Sequence, residues 1–286
     1  MKIDTHIHLS MKTSTGPNAM TISGYQDMLP HMKQLGIQKA VLMSAGETGM
    51  AYGSSNEENR AIVQADPKHF AWMCNLDPVS PETIYDRLRT YKEQGAVGIG
   101  EVMLHRSLED PFFSALFEAA GALELPVTFH MSPEQRFSYG VVDEPGLPML
   151  EKCLQRFPKT IFVGHSQPFW IEISGDAPTD PQNRNRPGKS KIIPGGRLVS
   201  LFSDYPNLYG DLSANSGGQA MMRDPSFSLA FLEKWSDRLF YATDMVNTEM
   251  VFPLGKWLDE QMNKGALSRA AWENICFKNA KAMYKL

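Results

Sequence analysis

The chain has 286 residues, 42% of them hydrophobic and 21% charged, with a formal net charge of −4. That length allows a single large domain with a sizeable core, and the acidic balance argues against nucleic acid as the main partner. No stretch approaches the ~18 apolar residues of a membrane span, no charged leader with a cleavage site is visible, and the three cysteines lack the spacing of a disulfide framework or thiolate site, so a cytoplasmic location is expected.

The first element is a strand at 2–8. Ile3, Thr5 and Ile7 alternate with Asp4, His6 and His8, the period of a β-strand. His6 and His8 therefore leave the same face of one strand, two residues apart. A polar loop at 10–23 leads to a helix at 25–35, with Met28, Leu29, Met32 and Leu35 at helical spacing and Gly36 to stop it. Strands follow at 39–44 and 70–75. A helix at 81–94 begins after Ser80, a good N-cap with Pro81 in the first turn, and ends at Gly95. Strands at 96–101, 127–130, 161–165, 208–212 and 240–244 then alternate with helices at 111–123, 148–157, 196–204, 227–235 and 252–264.

Most of these strands are short apolar runs without strict alternation, as expected where both faces are buried. Eight strands alternating with helices predict an α/β fold, a parallel eight-stranded (β/α)8 TIM barrel, as one domain over 1–286 with no β-sandwich attached. The first βα turn lacks the Gly-rich phosphate loop that would favour an open doubly wound sheet. One long loop, 166–194, follows the sixth strand and carries Arg184, Arg186, Lys189 and Lys191. Loops of that length act as lids or lack structure, and this one lies on the C-terminal face, where barrel enzymes work.

The chemistry-bearing residues fall at strand ends. His6 and His8 end the first strand, Glu101 the fourth, His130 the fifth, His165 the sixth and Asp244 the eighth. A lone histidine or aspartate at such a place is ordinarily structural or a helix cap, but barrel strands converge on one mouth, so the set can meet. His31 and His69 lie off the strand ends and read as structural or surface residues; His105, in the loop after Glu101, is within reach of a substrate. Imidazole and carboxylate without thiolate suit zinc first, and also manganese, iron or nickel. Glu101 decides the count: one ion if it only hydrogen-bonds a ligand histidine, two if it bridges.

An ion with an open position lowers the pKa of its water to about 7. Asp244 can then take a proton, and His165 can polarise a carbonyl or shuttle a proton. Arg106, Arg136, Arg184 and Arg186 are candidates for binding a substrate carboxylate. Trp170 and Phe169, read as loop aromatics, are candidate covers for a flat substrate or else packing residues. Asp211, inside the seventh strand, reads as a structural barrel residue rather than a support for a ligand.

The ordered set Asp4-Thr5-His6-Ile7-His8, Gly100-Glu101, Thr128-Phe129-His130, Val163-Gly164-His165, Tyr209-Gly210-Asp211-Leu212-Ser213 and Ala242-Thr243-Asp244 resembles the amidohydrolase superfamily, in the amidohydrolase-related branch without a β-sandwich. The run Ile275-Cys276-Phe277-Lys278-Asn279-Ala280 is similar to that branch's closing helix. Where the branch often continues as Gly-His-x-Gly-Gly, this chain has Ser166-Gln167-Pro168 after His165, so the adjoining loop is shaped differently. The resemblance implies metal ligation by His6, His8, His130 and Asp244, with His165 polarising substrate or holding a second ion. With Glu101 bridging, the set resembles the TatD-type binuclear phosphodiesterases. The implied activity is a metal-dependent hydrolase of a small carboxylated amide, ester or lactone, or else a metal-dependent decarboxylase of a carboxylated aromatic or muconate-like substrate. The partner is a small molecule, neither nucleic acid nor membrane, and a homodimer follows only by analogy.

Overall fold

The computed structural model describes residues 1–15, 20–49, 53–137 and 139–286. Eight parallel strands form its centre: β1 (Lys2–Ile7), β2 (Ile37–Leu42), β3 (Phe70–Trp72), β4 (Ile99–Val102), β5 (Val127–Ser132), β6 (Phe162–His165), β7 (Leu208–Asp211) and β8 (Leu239–Phe240). They run as two arcs, β1–β2–β3 and β4–β5–β6–β7–β8. Single parallel bridges, Ile7 to Met245 and Cys74 to Ile99, join the arcs at both seams. The first seam is reinforced by Asp244 N–H donating to His6 O at 2.8 Å and His8 N–H donating to Met245 O at 2.9 Å. The result is a TIM barrel.

The apolar strand runs have the expected cause. Along β2 and just beyond it, Ala40 and Leu42 pack outward into the large core shared with the helices. Val41 and Met43 join Ile3, Ala71, Met73, Val163 and Phe240 in a smaller cluster inside the barrel. Tyr284, on the closing helix Asn279–Tyr284, packs onto that inner cluster. Both layers need apolar side chains, so alternation is suppressed.

The surrounding helices are α1 (Tyr25–Leu35), α2 (Asn56–Ala65), α3 (Ile84–Glu93), α4 (Pro111–Ala122), α5 (Pro148–Arg156), α6 (Arg197–Asp204), α7 (Pro225–Lys234) and α8 (Leu254–Asn263). All but α2 were expected. Its inner face is polar: Asn56, Asn59 and Ile62 are its buried residues. Asn56 Oδ1 accepts from Ser44 Oγ at 2.6 Å, and Asn59 Nδ2 donates to Met43 O at 2.9 Å. The hydrophobic period is therefore weak, although Ser55 caps the helix by accepting from Glu58 N–H, as the Ser-x-x-Glu pattern foretells.

The 166–194 segment is more ordered than a long loop was expected to be. It holds helical turns at Gln167–Trp170, Ile171–Ile173 and Pro181–Arg184, and Phe169, Trp170, Ile173 and Arg184 are buried. Arg184 Nη1 donates to Pro133 O at 2.7 Å, tying the segment to the loop after β5.

Candidate metal centre

The six residues expected to meet do meet. His6 leaves β1 and His8 follows it; Glu101 lies within β4, His130 within β5, His165 ends β6, and Asp244 lies just past β8. The Nε2 atoms of His6 and His8 are 3.2 Å apart. Glu101 Oε2 lies 3.6 Å from His6 Nε2 and 3.5 Å from His8 Nε2; Asp244 Oδ1 lies 3.4 Å and 3.3 Å from the same atoms. Four donor atoms bonded tetrahedrally to a zinc ion at about 2.0–2.2 Å stand roughly 3.3–3.6 Å from one another. The five separations among these atoms, 3.2–3.6 Å, match that spacing.

The two carboxylates also face the other way. Glu101 Oε1 lies 2.8 Å from His130 Nδ1 and 3.5 Å from His165 Nε2, while Asp244 Oδ2 lies 3.6 Å from His165 Nε2. Three overlapping groups with metal-binding spacing result: His6, His165 and Asp244; His6, His8 and Glu101; and Glu101, His130 and His165. The three cysteines are buried free thiols and belong to none of these groups.

The electrostatics are those of a cation site. Burial raises the Glu101 carboxyl, but the charge of His6 and hydrogen bonds from His130, His6 and His8 outweigh it and hold the acid well below its usual range. Asp244 behaves alike: burial opposes ionisation, and His6, His8 and His165 overcome it. His8 is lowered by burial but, hydrogen-bonded to Asp244 and Glu101, keeps its proton to about 9. His165 is lowered, first by burial and then by the charge of His6.

Buried neighbours orient the candidate ligands. His6 Nδ1 lies 2.6 Å from Asp211 Oδ2, so its Nε2 is directed at the centre. Ser213 Oγ is 2.8 Å from His165 Nδ1. Asp4 receives His6 N–H and Thr243 N–H on Oδ1 and Thr243 Oγ–H on Oδ2, joining β1 to the chain just after β8. Asn75 Nδ2 donates to Glu101 O at 2.7 Å. Asp244 itself has φ +59° and Ser166, next to His165, has φ +85°; left-handed backbone at non-glycine residues is a strain that clusters at functional sites.

Asp211 thus pairs with a candidate ligand histidine, the role that ranked second to a structural one in the sequence. Asp4 and Ser213 were noted only as motif residues without a role, and Asn75 was missed. The Asp-x-Ser of 211–213 was a visible signal; the partners of Asp4 and Asn75 depend on strand register and were not.

The substrate candidates are not gathered as expected. Trp170 is no exposed cover: it is buried, and its Nε1–H donates to Asp211 O at 2.8 Å, because the turn at 167–170 packs it against β7. Arg184 is likewise buried beside Glu172 and Asp143, its Nη1 donating to main-chain carbonyls. Arg136 and Arg186 are exposed, and exposed Arg106 pairs with Asp110 at 3.6 Å. His105 bonds two loop carbonyls. Among the described residues no helix is long and apolar enough to cross a membrane.

Comparison with known proteins agrees with this architecture. None of the curated proteins matches the chain. An apo protein from Agrobacterium tumefaciens is similar in fold at 18% identity and TM-score 0.61, covering 100% of this chain and 96% of that one. A probable 2-pyrone-4,6-dicarboxylic acid hydrolase from Acinetobacter baumannii aligns at 14% identity and TM-score 0.60, covering 100% and 99%. A 2,6-dihydroxybenzoate decarboxylase from Rhizobium aligns at 15% and 0.61, covering 99% and 98%. At such identities these likenesses speak for the fold, and the family model described as amidohydrolase, which matches residues 3–286, speaks for the lineage: this chain belongs to the amidohydrolase family.

Proposed function

We propose that the protein is a metal-dependent hydrolase of a small, carboxylated amide, ester or lactone, and that it holds two divalent ions, zinc before manganese, iron or nickel. The observation that carries this reading is the two-sided placement of Glu101, with Oε2 toward His6 and His8 and Oε1 toward His130 and His165. One ion would be held by His6, His8, Glu101 and Asp244, the other by Glu101, His130 and His165. When bound, such ions supply Lewis acidity and a water of lowered pKa.

The chain's own residues would do the rest. Asp244 is the accessible acid of the group: its side chain is 26% exposed, against 4% for Glu101 and 1% for Asp211. Kept ionised by its histidine neighbours, it can accept a proton from an attacking water and return it to the leaving group. His165 is held by Ser213 at Nδ1 and turns Nε2 toward both carboxylates; that nitrogen would help hold the second ion or, where only one ion is bound, donate toward a developing oxyanion. Exposed Arg136 and Arg186 suit capture of the substrate's carboxylate.

A second reading, non-oxidative decarboxylation, uses the same groups, with Asp244 or His165 protonating the carbon that loses CO₂; the likeness to the Rhizobium decarboxylase favours testing it. The deciding experiment is metal content by plasma mass spectrometry on wild type, His6→Ala and Glu101→Gln, followed by proton and CO₂ release over a panel of lactones and carboxylated aromatics. Two equivalents in wild type, falling toward one in Glu101→Gln, and proton release without CO₂ are expected. A protein that binds no divalent ion overturns the reading.

A further inference from the structure

The loop after β5 brings two aromatic rings to the metal centre. The ring centroid of Tyr139 lies 4.9 Å from that of His130, tilted by 52°, and Phe137 lies 5.3 Å from Tyr139. Of the four histidines in the centre, His130 has the most open side chain, 17% exposed against 0–7% for the others. Tyr139 is itself 38% exposed. An open aromatic face therefore borders the most accessible histidine of the site.

Local sequence makes that placement. Gly140 has φ +89°, and a Cβ there would fall 2.8 Å from Ser132 N and 2.9 Å from the Met131 carbonyl carbon. Only glycine lets the loop lie this close along β5, which is what lowers Tyr139 onto His130. His105 then fastens the loop on both sides of Phe137 and Tyr139. Its Nε2 lies 2.7 Å from Gln135 O and its Nδ1 3.1 Å from Gly140 O.

We propose that Tyr139 is a specificity-determining residue whose ring face selects a flat, conjugated group in the substrate, and that His105 is the positioning residue that holds it there. The inference deepens the metal-dependent reading above and rests on it. A planar acid can place its carboxylate at the centre while its ring meets Tyr139 in an offset or edge contact; a saturated ring of equal size cannot make that contact.

The test uses zinc-loaded protein and two probes of equal charge, benzoate and cyclohexanecarboxylate, with binding measured by calorimetry. Wild type is expected to prefer benzoate by about threefold to tenfold. Tyr139→Leu should lose the preference and keep its metal, and Tyr139→Phe should retain both. His105→Phe should lower the preference without loss of metal and speed tryptic cleavage after Arg136, in the released loop. A Tyr139→Leu protein with full metal and an undiminished preference overturns this inference alone, as does a loaded wild type indifferent to the two acids. A wild type that takes up no zinc overturns the metal reading beneath it, and that is seen before either acid is added.

Discussion

The imidazole of His6 and the carboxylate of Asp211 form a buried pair, with Nδ1 and Oδ2 2.6 Å apart. Asp211 Oδ1 is engaged as well, receiving Ser213 N–H at 2.7 Å. The acid is thus fixed and in turn fixes the tautomer of the histidine. Asp211→Ala should lower metal affinity by about 10–100-fold, measured by competition with a coloured chelator. Unchanged affinity in a folded variant would show that Asp211 supports the barrel only.

Metal uptake should depend on pH with a definite sign. In the metal-free protein His8 is lowered by burial but raised more by Asp244 and Glu101, so its proton leaves only near 9. Binding must displace that proton. Apparent affinity should therefore rise with pH, about tenfold per unit for each proton displaced, through the region near 9 where His8 loses its own. Calorimetry in buffers of different ionisation enthalpy counts the released protons; a flat profile below that point counts against ligation by His8.

Asp143 contributes a second, opposite dependence. Burial raises its carboxyl from 3.8 to about 6, despite hydrogen bonds from Leu150, Met149 and Glu144 and the nearby charge of Arg184. The folded state then holds a proton that the unfolded chain has already lost. The stabilisation is full below about pH 4 and disappears as pH rises through about 6, a change of up to about 3 kcal/mol. Urea denaturation across this window should show a steeper loss in wild type than in Asp143→Asn.

Trp170 supplies a negative control. Trp170→Phe removes the Nε1–H bond to Asp211 O and should cost about 1 kcal/mol, a fall of a few degrees in Tm. Its KM should be unchanged. A rise in KM with no fall in Tm would return Trp170 to the role of a substrate cover.

The barrel and its six strand-end residues were legible in the sequence because both follow from position along the chain. A strand end is local information, and barrel closure sends all such ends to one mouth. What stayed hidden depends on register and side-chain direction. Trp170 is the last residue of a helical turn that folds inward, so its loop position suggested exposure when the packing buried it. The α2 helix escaped because its inner face carries Asn56 and Asn59, which bond to strand ends. Asp4 looked like a polar residue on the histidine face, yet its partner Thr243 lies 239 residues away.

That last separation bears on how the protein is made. The seam between β1 and β8 joins the earliest of the eight barrel strands in chain order to the latest, and His6, His8 and Asp244 sit along it. A nascent chain still attached to the ribosome carries the two histidines long before the aspartate exists to join them. The full candidate set therefore comes together only once Asp244 has been made, and a product truncated before it would lack part of the site.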